Sequence, residues 1–136
     1  MKRVYIACPV RNATKKEIEF LTEYVKDLEA KGYDVHFPHD KEDVNQDDPV
    51  GINICDTHAE ALLKADEVHI YYNPTSEGTI FDLGMAYILR RIRQKTGEDL
   101  EIKLINRDVV EEVEKANPGK SFRKVMKHLD DIYGGK

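Results

Sequence analysis

Residues 3–8 (Arg-Val-Tyr-Ile-Ala-Cys) carry a strand-like apolar run that stops at Pro9. Thr14 and Glu17 then stand three apart, the capping-box spacing, and Ile18, Leu21, Val25 and Leu28 follow on one helical face. Gly32 supplies the left-handed stop, and residues 33–37 (Tyr-Asp-Val-His-Phe) read as a second strand ended by Pro38. That is a β-α-β unit in about 35 residues, which closes as a right-handed parallel crossover. Residues 39–49 hold five Asp or Glu and read as a polar loop. A helix is expected from about Gly51 to Ala65, with Ile52, Cys55, Ala59 and Leu62 toward the sheet. Residues 67–72 give a third strand, Thr79 to about Lys95 a long helix, and residues 101–105 a fourth strand. Asp108 opens a short helix broken at Asn117-Pro118-Gly119. The last helix, capped by Ser121, carries Phe122, Val125, Met126, Leu129 and Ile132 at core spacing. The pattern predicts one α/β domain over residues 1–136. It is a doubly wound, Rossmann or flavodoxin-like parallel sheet in order 2-1-3-4 with helices on both faces.

Composition narrows the function classes. With 21 basic and 26 acidic side chains the net charge is −5, and no basic stripe exists to track a duplex, so nucleic acid is not expected as a partner. No apolar run reaches the ~18 residues of a membrane span, and nothing after Met1 reads as a signal peptide. Cys8 and Cys55 are isolated, without a Cys-x-x-Cys pair, which fits a reducing cytoplasmic compartment. His36 and His39 form His-x-x-His with no third ligand at a sensible spacing, so no metal is expected, nor any cofactor.

In a 2-1-3-4 sheet the ligand crevice opens at the carboxyl ends of strands 1 and 3. The loops there, Cys8–Ala13 and Asn73–Gly78, hold Arg11 in the first and Ser76 and Gly78 in the second. The second loop opens a helix, whose amino end favours an anion. Neither Gly-x-Gly-x-x-Gly nor a P-loop is present, so a single phosphate held by Arg11 and the Ser76–Gly78 turn is the expectation.

Three motifs occur in order: Val4-Tyr5-Ile6-Ala7-Cys8-Pro9-Val10-Arg11, Ala65-Asp66, and Ser76-Glu77-Gly78-Thr79-Ile80-Phe81-Asp82-Leu83-Gly84-Met85-Ala86. Together they resemble the nucleoside 2-deoxyribosyltransferase family, which includes the 2′-deoxynucleoside 5′-monophosphate N-glycosidases. The likeness runs over about residues 3–106. It implies a small-molecule nucleoside or nucleotide as substrate, displacement at the anomeric carbon by a carboxylate, and a homodimer or higher oligomer. By this resemblance Asp82 stands where the family has its nucleophilic Glu, and Tyr5 matches the tyrosine that positions it. Pro9, Arg11, Ser76 and Gly78 match the substrate-holding segments, and the acid that serves the base falls on His58, with Asp56 two residues away. The chain departs from the pattern at Cys8, where the family has Gly, and at Asp82, one methylene shorter than Glu. Asp82 also carries a second reading, since Thr79-x-x-Asp82 has capping-box spacing. A non-catalytic nucleotide-binding or sensing module of the same fold is the alternative function.

Overall fold

The first strand, β1 (Arg3–Ala7), is buried on both faces from Val4 to Ala7, as a central parallel strand must be. The computed structural model describes residues 1–39 and 50–133. Its elements follow as α1 (Lys15–Ala30), β2 (Asp34–His36), α2 (Ile52–Leu63), β3 (Glu67–Ile70), α3 (Glu77–Gln94), β4 (Glu101–Leu104), α4 (Arg107–Ala116) and α5 (Phe122–Tyr133). The four strands form one sheet in the order β2-β1-β3-β4, and every pairing is parallel. The expected strands each lose a residue or two at their ends.

The connections between the strands place α1 on one face of the sheet and α2 and α3 on the other. Leu21, Val25 and Leu28 of α1 pack with Val4, Ile6, Cys8 and Phe37. The opposite face joins Tyr5, Ala7, Val68, Ile70, Ile102 and Leu104 to Leu62 of α2, Leu83 and Ala86 of α3, and Met126 and Leu129 of α5.

Local chemistry explains most element ends. Thr14 caps α1 through a full capping box: its hydroxyl accepts from the Glu17 N–H, and Glu17 accepts from the Thr14 N–H. Gly32, at φ +94°, turns the chain after α1. Ser121 caps α5, accepting from the Lys124 N–H at 3.2 Å. At the amino-terminal edge Asp66 accepts from the Arg3 N–H at 2.8 Å, so the Ala65-Asp66 motif is a strand-end clasp at the end of the sheet away from the crevice.

Four expectations change. The helix α3 starts at Glu77 with Ser76 as its N-cap, so Asp82 lies in the second turn and caps nothing. Ile52 and Cys55 on α2 are exposed, and of the expected stripe only Leu62 is fully buried. Phe122 and Ile132 on α5 also point outward. Asn106, rather than Asp108, precedes α4. Its side chain clasps the Tyr72 N–H and C=O, both at 2.7 Å, and so continues the sheet's bonding beyond β3.

Candidate active site

Tyr5 sits at the third position of β1, paired in register with His36 on β2 and Val68 on β3. Register alone therefore brings Tyr5 and His36 side by side on the face covered by α2 and α3. Their rings stack at 5.2 Å between centroids, with planes 19° apart. His58 on α2 closes the group, meeting Tyr5 edge-on at 6.3 Å and bonding through Nδ1 to His36 Nε2 at 2.8 Å.

The Tyr5 ring is fully buried, and its hydroxyl has no hydrogen-bond partner in ordinary geometry among the described residues. The group it faces is the Asp82 carboxyl on α3, close enough for each to alter the other's ionisation. Burial, with the Asp82 charge, pushes the Tyr5 phenol far above its ordinary value, so it remains a proton donor. Burial also raises Asp82, to about 7, against a smaller opposing pull from the Tyr5 hydroxyl. Asp82 is thus a half-buried carboxyl poised near neutrality, and Tyr5 is a donor aimed at it. The Cys8 thiol, packed on the α1 side of the sheet, is driven up to about 12 by burial and by Asp82 and Glu17, which removes it as a thiolate nucleophile.

The phosphate expectation rests on more open ground. Arg11 is exposed in the turn after β1, and Pro9 is buried at the end of that strand with its carbonyl accepting from His39 Nε2–H at 3.0 Å. Ser76 accepts from the Thr79 N–H at 3.3 Å and lies 2.9 Å from the Thr79 hydroxyl, so its oxygen already serves the helix. Gly78 lies in the first turn of α3 with open space where a Cβ would be, so the backbone here accepts a close approach. Glu77 adds a negative charge to the same turn, which an anion would have to outbid.

Asp56 is exposed on α2 and does not join the Tyr5 group, whereas His58 does. His36 turns to His58 and His39 to Pro9, so the His-x-x-His pair diverges. Among the described residues no group of three or more His, Cys, Asp or Glu is placed to hold a metal. Nor is any described helix long and apolar enough to cross a membrane. The acidic segment, apart from His39, lies outside the described residues.

Two features of the crevice escape the sequence reading. Glu17, besides its capping role, accepts from Asn73 Nδ2 at 3.1 Å, tying the start of α1 to the β3–α3 loop. His36 was visible only as half of a metal pattern, although its place opposite Tyr5 in a parallel register could have been worked out once the strands were aligned. A cavity of about 620 Å³ lies on the far side of that loop, lined by Tyr72, Asn73, Pro74, Ile80, Phe122 and Arg123. It includes neither Tyr5 nor Asp82.

No family model and no curated protein matches the sequence. Solved structures do. A 2-deoxyribosyltransferase from Bacillus psychrosaccharolyticus superposes with a TM-score of 0.56 at 18% identity, over 75% of this chain and 72% of that one. A 2-deoxyribosyltransferase from Leishmania mexicana gives 0.54 at 18% identity, over 76% of this chain and 65% of that one. The CMP N-glycosidase of Clostridium botulinum gives 0.52 at 16% identity, over 97% and 83%. What is shared is the fold. The motifs around Tyr5 and Asp82 sit on that shared fold.

Proposed function

We propose that this protein cleaves or transfers the N-glycosidic bond of a (2′-deoxy)nucleoside or its 5′-monophosphate, with Asp82 as nucleophile. The observation that carries the reading is the half-buried Asp82 carboxyl faced by the orphaned Tyr5 hydroxyl at the sheet's ligand end. The fold shared with a 2-deoxyribosyltransferase and a CMP N-glycosidase supports it.

In this reading the base leaves C1′ through an oxocarbenium-like state while an Asp82 oxygen bonds to C1′, as in retaining glycosidases. Water, or a second base, then displaces the carboxylate. Tyr5 orients Asp82 by its O–H, and His58 supplies the proton or hydrogen bond that the departing base needs. Arg11 and the Ser76–Gly78 turn hold the 5′-phosphate. Asp56, exposed on α2, serves the base only through a rearranged side chain. A second copy of the chain completes the molecule as a homodimer.

The second reading is a non-catalytic nucleotide-binding module. It is favoured by two properties of the same residue: Asp82 is shorter than Glu by one bond, about 1.5 Å, and at neutral pH it is only partly ionised. Chromatography of bases released from nucleosides and 5′-monophosphates separates the readings. Base release by the wild type, lost in Asp82→Asn with nucleotide affinity kept, is the expected result. Arg11→Ala should erase the preference for monophosphate over nucleoside, a difference of roughly 1.5–3 kcal/mol for a charge-assisted contact. Tight nucleotide binding without any base release would establish the sensor reading instead.

A further inference from the structure

The hydrogen bond between His36 Nε2 and His58 Nδ1, at 2.8 Å, joins two imidazoles held by different elements. The sheet register fixes His36 beside Tyr5, and the ring stack at 5.2 Å leaves it little freedom. Its ring meets that of His58 at a steep 76°, with 5.1 Å between centroids. Two neutral imidazoles carry two N–H protons, and one of them occupies the shared bond. The other sits either on His58 Nε2 or on His36 Nδ1. A third proton fills both ends, so the singly charged pair always presents His58 Nε2–H as a donor. The nitrogen that donates in a histidine is set by what its other nitrogen bonds to, and here that partner is a second titratable ring.

We propose that His36 is a positioning residue that makes His58 the proton donor to the leaving base, the two rings acting as one acid. This rests on the N-glycosidase reading of the site. As the C1′–N bond breaks, its electron pair stays with the base, and the proton on His58 Nε2 passes to a base nitrogen. The shared proton settles on His58 Nδ1, and His36 keeps its Nδ1–H. An Asp82 oxygen bonds to C1′, so the carboxylate and the charged pair both become neutral. Water attacking C1′ later returns one proton to the pair and frees the Asp82 carboxylate.

The pair answers a specific electrostatic problem. Burial lowers the proton affinity of a lone His58, and a neighbouring ring that shares the charge offsets this without adding a fixed cation. Among the described residues Tyr5 on β1 lies against both rings, and Tyr5 in turn faces Asp82 on α3, Cys8 after β1 and Cys55 on α2.

The test combines imidazole nitrogen NMR with the pH profile of base release. His36→Phe keeps an aromatic ring against Tyr5 but removes the bond, while His36→Gln keeps an N–H donor for His58 Nδ1 without a titrating ring. In the wild type the two rings should titrate as a coupled pair. In His36→Phe, His58 should titrate in one step at lower pH, with kcat reduced tenfold or more, KM within about twofold, and the alkaline limb of the profile displaced to lower pH. His36→Gln should recover much of kcat at the optimum but not the coupled titration. A fully active wild type whose profile and His58 titration are unchanged in His36→Phe overturns the proposal. A wild type that releases no base from any substrate overturns the N-glycosidase reading itself, and this proposal with it.

Discussion

Asp82 illustrates how one side chain can be costly to the fold and useful to the site. Its carboxyl, raised to about 7 chiefly by burial, binds its proton more tightly in the folded state than in the unfolded one. Between pH 3.8 and 7 the folded state therefore holds more protons, and stability falls as pH rises through that window. Asp82→Asn removes the penalty. At pH 8 it should stabilise the protein by about 1–2 kcal/mol, or roughly 3–8 °C in Tm, and near pH 4 the two melting points should converge. A variant that melts lower than wild type at pH 8 would show that the carboxylate is well solvated. The same ionisation should make base release rise with pH through about 7. Sequence spacing left Asp82 divided between cap and nucleophile, and the structure removes the cap because Ser76 takes that place three residues before Thr79. Capping preferences are nearly equal for Ser, Thr and Asp, so a run containing all three cannot be resolved by pattern alone.

At the scale of elements, β3 holds the least expected feature. Glu67 and His69 are buried beside Lys103 of β4 and Tyr24 of α1. The Tyr24 hydroxyl lies 2.7 Å from His69 Nδ1, His69 Nε2 donates to Glu67 at 2.8 Å, and Lys103 approaches Glu67 at 3.1 Å. Burial alone would raise Glu67, but the bonds from His69 and Lys103 outweigh it and hold the carboxyl below its ordinary value. His69 is lowered by burial, against the pull of Glu67. Both shifts have one sign: the unfolded chain binds more protons, so stability is lost as pH falls, first below about 6.5 as His69 charges on unfolding and then below 4.5 with Glu67. Glu67→Gln should cost roughly 1.5–3 kcal/mol at pH 7 and progressively less below pH 4.5. An equal deficit at pH 3.5 and pH 7 in denaturant titrations would assign the loss to packing. Strand periodicity marks residues 67–72 as a strand, yet it carries no sign that a glutamate and a histidine there face inward as partners. That information lies in Tyr24 and Lys103, tens of residues away.

For the whole molecule, the strand order, the parallel pairing and the presence of helices on both faces were legible because strand-like and helix-like periods alternate along the chain. Helix faces were less so. Apolar spacing records that a residue avoids water, not which surface covers it, and so Ile52, Cys55, Phe122 and Ile132 looked like core. On α3 Phe81, Ile88 and Ile92 are all more than half exposed and recur at spacings of seven and four, one stripe along a helix whose opposite side packs on the sheet. Exposed apolar stripes of this kind mark association surfaces. A second copy is the expected occupant. Sedimentation should show a wild-type dimer and an Ile88→Arg monomer, and a wild type monomeric at every concentration would sink the homodimer. Phe81 adjoins Asp82 in sequence, so association would also border the Asp82 carboxyl proposed as nucleophile.

The sheet divides the interior unevenly. Among the described residues fifteen buried side chains lie in the cluster under α2, α3, α4 and α5, against seven in the cluster under α1. Cooperative openings follow the thinner layer, since the free energy of exposing it is smaller. Amide hydrogens of α1 should therefore exchange through a sub-global opening of lower free energy than those of β3, β4 and α5. Because Glu17 at the start of α1 holds Asn73, that opening would also release the β3–α3 loop. A ligand bridging Arg11 and Ser76 should slow exchange in α1 well beyond the residues it touches.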